Sequence, residues 1–260
     1  MVEALSYTEA VHPLLQHVAH RPWPLPDGPW IMKQTWHDLL FAHWPVPFEE
    51  LRPLIPAQLP LDTFEGSCWI GVIPFWMSGV RARAMPALPG LSRFPELNVR
   101  TYVTYGGKPG VYFFSLDAAN LGAVWAARTF YYLPYFHASM TSREQDGRIF
   151  YSSTRHRQLA KLQCSYEPTA LARVREKSTL EDFLTARYCL YTVHRREVYR
   201  CEIHHLPCPL QDAEAEFQLN TMADAVHITL PNSAPLLHFS KLLEVLIWPL
   251  RRADQTHPRV

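Results

Sequence analysis

Apolar and polar positions alternate along most of this chain with the two-residue period of strands, not the 3.6-residue period of helices. ELNVRTYVTY is the clearest case: Leu97, Val99, Thr101 and Val103 alternate with Glu96, Asn98, Arg100 and Tyr102. IMKQTWHDLLFAHWPV is apolar on both parities, with Trp36, Leu40 and Trp44 on one and Leu39 and Phe41 on the other. That pattern predicts a strand covered on both sides. SCWIGVIPFWMSGVRAR reads as another strand, and HFSKLLEVLIW as a closing one. Turn chemistry then joins the strands. Gly-Gly-Lys-Pro-Gly at 106–110 leads into VYFFSLDA, Asp146-Gly147 links YFHASMTSRE to RIFYSSTRH, and RYCLYTVH pairs with EVYRCEIHH.

Helical signals are few and short. Prolines bound one or two turns in PFEELRPLIP, and NLGAVWAARTF predicts a helix with Asn120 as its N-cap. Ser178 and Glu181 have capping-box spacing and start another short helix. Residues 1–20 read as a loose helix, followed by the extended arm HRPWPLPDGPW, so that 1–29 precede the strands. No βαβ alternation, repeat or linker interrupts the rest. The expectation is one domain spanning 1–260, mainly β with short α-helices, its strands antiparallel in a curved sheet or barrel.

Composition narrows the function classes. The chain is 48% hydrophobic and 19% charged with a formal charge of +1, which argues for a folded globular protein without a nucleic-acid or membrane-surface partner. The 8 Trp, 12 Tyr and 13 Phe suit strands and also permit self-association into a homo-oligomer, although no interface can be named. Five irregularly spaced cysteines suggest reduced thiols and a cytoplasmic location. The start of the chain lacks a signal-peptide pattern, and LIWPLRR is far too short to cross a bilayer.

No dinucleotide fingerprint, phosphate loop, His-Glu-x-x-His or Gly-x-Ser-x-Gly elbow occurs, so no cofactor and no metal are expected. Cys201, His204, His205 and Cys208 carry zinc-ligand chemistry in CEIHHLPC, but Cys201 and His204 would face opposite sides of a strand. A strand end with two partly exposed histidines is the preferred reading. Cys68 has no flanking charge to activate it and reads as packing. His37 and His43 read as hydrogen-bonded core residues.

Two features point to a pocket. Glu96, Asn98, Arg100 and Tyr102 share one strand face among aromatic-rich neighbours; they form either a solvated outer surface or the polar strip of a cavity. Glu96 and Arg100 lie about 13 Å apart at strand rise, too far to pair directly. Arg128 precedes Tyr131, Tyr132 and Tyr135; its guanidinium either caps the preceding helix or stacks on a ring while holding a carboxylate. His137 follows the same tyrosine cluster.

The segments LLFAHWPVP, LRPLIP, WIGVIPFWM, LPGLSRFPELNVRTYV, GVYFFSLDA, AARTFYYLPY, RYCLYT, IHHLPCPLQDAEAE and LLHFSK resemble the bacterial YqjF-like family, in order, from about residue 30 to 250. That family is similar to the acetoacetate decarboxylase-like superfamily. The resemblance implies an antiparallel β-barrel around a small-molecule cavity, with ELNVR on its wall and Glu96 as the cavity acid. It also aligns Arg128 with the decarboxylase motif's arginine and Pro134 with its proline. Where that motif carries its lysine pair, this chain has Tyr135 and Phe136, and neither can form an imine with a ketone.

The expected function is a pocket for a small organic acid or ketone. Glu96 and Tyr135 would be the catalytic pair of a proton-transfer or lyase/hydratase-type reaction. Arg100, Arg128, Tyr131, Asn98 and His137 would bind the ligand. The alternative is a non-catalytic binding or sensor protein on the same barrel.

Overall fold

The computed structural model describes residues 12–90, 92–174 and 176–254. The loose helix expected over 1–20 lies largely outside them; within them Pro13–Gln16 forms one 3-10 turn.

Strands dominate: β1 (Met32–Val46), β2 (Cys68–Ala82), β3 (Phe94–Tyr105), β4 (Lys108–Ala118), β5 (Tyr135–Gln145), β6 (Arg148–Arg155), β7 (Lys161–Pro168), β8 (Arg173–Val174), β9 (Cys189–His194), β10 (Glu197–His204), β11 (Pro209–Asn220), β12 (Leu236–Ile247) and β13 (Arg251–Arg252). Three short helices interrupt them, α1 (Phe48–Leu51), α2 (Leu121–Tyr131) and α3 (Leu180–Thr185). The expected hairpins are in place. Tyr105 pairs with Lys108 across Gly106-Gly107, and Gln145 pairs with Arg148 across Asp146-Gly147. Both turns need positive φ at their two central residues, which glycine supplies freely and aspartate tolerates.

Hydrogen bonding runs in the order β12-β1-β2-β3-β4-β5-β6-β7-β11, and β11 bonds back to β12 through Gln211 and Asp212. A second path leaves β4 through β9 and β10 and also returns to β12. Strands β12, β1, β2, β3 and β4 therefore belong to both circuits, and each buries side chains of both faces along part of its length. On β3, Leu97 and Val99 enter one apolar cluster with Leu40, Trp44, Tyr151 and Tyr166. The residues between them turn to the other side.

The sheet is mixed, which corrects the all-antiparallel expectation. Strand β4 runs parallel to both β5 and β9. Parallel neighbours need a crossover of a dozen or so residues, and the segment carrying α2 provides one between β4 and β5.

Two local expectations also change, and two strands come without a forecast. The pairing of β1 shifts register between His37 and Ala42, with Asp38 at φ +51°. This bulge flips the strand's parity, so Trp36 packs with Phe41 and Phe75 while Leu40 and Trp44 face the opposite cluster. The N-cap of α3 is Thr179, whose hydroxyl accepts from Asp182 N (3.3 Å), one residue later than the predicted Ser178–Glu181 box. Strands β7 and β11 carry little sequence signal. Along β11 the run of Asp212, Glu214 and Glu216 interleaves alanines, and neither Ala nor Glu favours strands.

Candidate active site

The apolar cluster on the other side of the shared strands opens into a cavity of about 240 Å³. Its polar strip comes from β3: Glu96, Asn98 and Arg100 all line it. Glu96 is 4% exposed and Asn98 7%, so the solvated-face reading of this strand gives way to the cavity wall. The next residue on that face, Tyr102, is fully buried, and its hydroxyl lies 2.6 Å from His43 Nε2. His43 is thus the hydrogen-bonded core histidine expected from the sequence, and burial holds its pKa well below the usual range.

The local fold fixes Glu96 where β3 crosses the floor. The Tyr151 hydroxyl, reaching in from β6, lies 2.7 Å from the Glu96 carbonyl oxygen and 3.1 Å from that of Phe75. Across β4, the parallel pairing of Leu116 with Tyr135 brings the Tyr135 hydroxyl to 2.9 Å from Glu96 Oε2, to which it donates. Burial pushes the Glu96 carboxyl up to about 8, against the opposing hydrogen bonds from Tyr135 and Asn98; Asp117 nearby adds to the rise. The Tyr135 hydroxyl is pushed well above its ordinary range, chiefly by burial and then by Glu96, so it stays protonated. A carboxyl held neutral near pH 7 and a phenol that stays protonated form a coupled proton site.

Helix α2 closes one side with Ala123, Ala127 and Tyr131, each four residues from the next and hence on one stripe. The small alanines leave room, while Tyr131 lines the cavity with its pKa raised by burial. Arg128 follows Ala127 and is turned about 100° around the helix. It is exposed, and its guanidinium sits 5.8 Å from the Phe136 ring on the outside. The structure therefore brings Glu96, Asn98, Arg100, Tyr131 and Tyr135 together and leaves Arg128 out. His137 is also outside the lining, its ring stacked on His156 at 4.5 Å.

Sequence reasoning missed Arg187, which lines the cavity from the chain after α3. It is 5% exposed and held by Asp62 Oδ2 (2.7 Å) and the Phe183 carbonyl (2.6 Å). It also borders a wider depression of about 620 Å³ with Asp62, Phe64 and Phe183, and so forms the partition between the two. Its partner is 125 residues away in the chain, a pairing no local pattern could announce.

The CEIHHLPC segment divides. Cys201 and Cys208 line the cavity together with Cys189 and His205. His204 is fully buried against the N-terminal arm, its Nε2 2.8 Å from the Leu14 carbonyl oxygen, and His205 is 2% exposed. Both histidines are buried, not partly exposed, because the arm packs over them. Burial pushes the Cys189 thiol up to about 12 and raises Cys201 further, so neither is an activated nucleophile. Cys68 is buried, as its packing role requires.

Among the described residues no lysine lines the cavity. Lys33 pairs with Glu244, Lys108 with Glu202, and Lys241 with Asp38 and Glu144. Among the same residues no helix is long and apolar enough to cross a membrane.

Comparison with solved structures gives the fold a context. The chain superposes on the enduracididine biosynthesis enzyme MppR complexed with pyruvate at a TM-score of 0.59, with 11% identity, covering 89% of this chain and 93% of that one. An acetoacetate decarboxylase-like enzyme from Sphingomonas wittichii RW1 matches with a TM-score of 0.59 and 13% identity, over 91% of this chain and 98% of that one. These likenesses establish an acetoacetate decarboxylase-like fold. In sequence, the uncharacterized protein YqjF of Bacillus subtilis (strain 168) is 52% identical over 229 residues, 88% of this chain and 95% of that protein. Residues 33–244 match the DUF2071 family, described as an uncharacterized conserved protein. With that match over most of its length, the chain belongs to the DUF2071 family, whose YqjF-like members it resembles from β1 to β12.

Proposed function

We propose that the chain binds a small organic acid or ketone in this cavity and transfers a proton on it through Glu96 and Tyr135. The two closed circuits of strand pairing are read as the barrel wall around that ligand. The observation that carries the proposal is a buried carboxyl pushed up to about 8, lining a cavity beside an arginine whose Nε has no partner among the described residues. A general acid or base works best when its pKa lies near the operating pH. Arg100 supplies the positive charge that favours an anion, a role the sequence reading gives to Arg128, with Arg100 expected at the ligand's polar end beside Glu96. The pyruvate complexed with MppR is a ligand of the same class.

Because no lysine among the described residues lines the cavity, the chemistry these residues support is proton transfer next to a carbonyl, or a lyase or hydratase step that begins with it. Glu96 would take or give the proton, and Tyr135, donating to Glu96 Oε2, would steady the carboxylate whenever Glu96 has given its proton up. A second reading, a carrier or sensor, is favoured by the raised pKa values of the Cys189 and Cys201 thiols, which keep both from acting as activated nucleophiles.

Deuterium exchange separates the two. Short 2-oxo acids are incubated with the protein in D2O and their C–H signals followed by proton NMR. Exchange that depends on wild-type protein and is lost in Glu96→Gln supports catalysis. Saturable binding without exchange supports the carrier, and absence of binding removes both.

A further inference from the structure

The polar groups of the cavity wall are mostly satisfied from within the protein. Trp36 Nε1 donates to Gln34 Oε1 (2.8 Å), Tyr135 to Glu96, and the Thr185 hydroxyl to the Glu181 carbonyl (2.6 Å). Arg187 is held by Asp62 and Phe183. Two lining residues differ. Asn98 Oδ1 and Arg100 Nε are buried side-chain atoms with no hydrogen-bond partner among the described residues. Native proteins leave few such atoms, and each one calls for an explanation.

The two atoms sit on one face of β3, two residues apart, so a single small molecule can reach both. They also ask for opposite things. Arg100 Nε is a cationic donor and needs an acceptor, best an anionic one. The Nη2 of the same guanidinium already donates to the Leu184 carbonyl at 3.3 Å, which anchors the group and leaves Nε for the cavity. Asn98 Oδ1 is an acceptor and needs a donor. The Asn98 amide hydrogen-bonds the Glu96 side chain, which turns the N–H side toward Glu96 and the oxygen away from it.

An unsubstituted acid has no donor for Asn98. A 2-oxo or 3-oxo acid would set a carbonyl oxygen against the amide oxygen, lone pair facing lone pair. A hydroxy acid completes both groups at once. A cavity of about 240 Å³ has room for a short acid of this kind.

We propose that the ligand of this cavity is a short hydroxy acid, its carboxylate accepting from Arg100 Nε and its hydroxyl donating to Asn98 Oδ1. The assignment rests on the organic-acid reading above and makes Asn98 the specificity-determining residue of the site. For a lyase or hydratase step it places the hydroxy acid as the species held, with Glu96 beside the hydroxyl-bearing end.

The test is calorimetric titration at pH 7 of butyrate, 2-oxobutyrate, 2-hydroxybutyrate and 3-hydroxybutyrate into wild type, Asn98→Leu and Arg100→Met. The expected result is that at least one hydroxybutyrate binds wild type about tenfold or more tighter than butyrate and 2-oxobutyrate, the factor associated with one matched buried hydrogen bond. Asn98→Leu should erase that preference, bringing the hydroxybutyrates to the affinity of butyrate in the same variant, and Arg100→Met should weaken all four. Equal affinities for the four acids on wild type would overturn the inference alone, with Asn98 then served by water; this arm holds even if a variant does not fold. A hydroxyl preference surviving in Asn98→Leu would also overturn it. If no acid binds wild type, the organic-acid reading fails first.

Discussion

Replacing Glu96 by glutamine should change how stability depends on pH, and the size of the change follows from the burial of the carboxyl. In the unfolded chain the group titrates near 4.5, whereas in the fold burial moves it to about 8. Between those values the native state holds a proton that the unfolded state has released. Native stability therefore falls as pH rises through this window and levels off above it. The slope is about 1.4 kcal/mol per pH unit, so from pH 5.5 to 7.5 the wild type should lose about 2–3 kcal/mol relative to Glu96→Gln. The glutamine is neutral throughout and keeps an oxygen to accept from Tyr135. His43 and His204, whose pKa values burial lowers, impose the opposite trend on the acid side, but they are common to both proteins and cancel in the difference. Urea unfolding of both proteins at four pH values reads the effect directly; in melting temperature it amounts to roughly 5–10 °C. Parallel pH profiles would mean instead that Glu96 is ionised at neutral pH and that the cavity is wet enough to solvate it.

Other residues give further tests. Tyr135→Phe removes a donor that favours the charged form of Glu96, so the falling limb of the stability profile should extend to higher pH than in wild type, as read by the same urea series. Asp117 and Arg155 form a fully buried ion pair at 2.7 Å, and Asp117→Asn should cost about 3–5 kcal/mol by leaving the guanidinium uncompensated. Pairing it with Arg155→Met should recover part of that loss in denaturant unfolding. A Cβ on Gly110 would come within 2.6 Å of the Tyr191 ring and 2.8 Å of the Cys189 carbonyl oxygen, so Gly110→Ala should push β9 off β4 and destabilise by about 1–3 kcal/mol in the same unfolding assay. For His204, held down to about 4 by burial, the stability contribution should be complete above 6.5 and lost as pH falls toward 4. His204→Gln should flatten that acid limb in thermal melts.

The parts legible in the sequence are those fixed by short-range patterns. Alternation along β3 put Glu96, Asn98 and Arg100 on one face, and the density of aromatics around it set the cavity reading of that face beside the solvated one. The Asn120 cap and the Asp146-Gly147 turn were equally local. Long-range partners and phase shifts were not legible. The bulge at Asp38 reverses the side to which Trp36 points, and nothing in the alternation marks it. The pair Arg187–Asp62 depends on the chain returning after 125 residues. Arg128 shows the limit of motif alignment: the resemblance set it against the decarboxylase motif's arginine, yet the Ala123–Ala127–Tyr131 stripe of α2 already fixes the cavity side and turns residue 128 away from it.

Arg100, and not Arg128, is the residue proposed to anchor an organic anion inside the cavity. Titrating short organic acids into wild type, Arg100→Met and Arg128→Ala under identical conditions distinguishes the two arginines. One saturable site per chain is expected, weakened by about tenfold or more in Arg100→Met and unchanged in Arg128→Ala. Binding that survives loss of Arg100 and disappears with Arg128 would overturn the assignment.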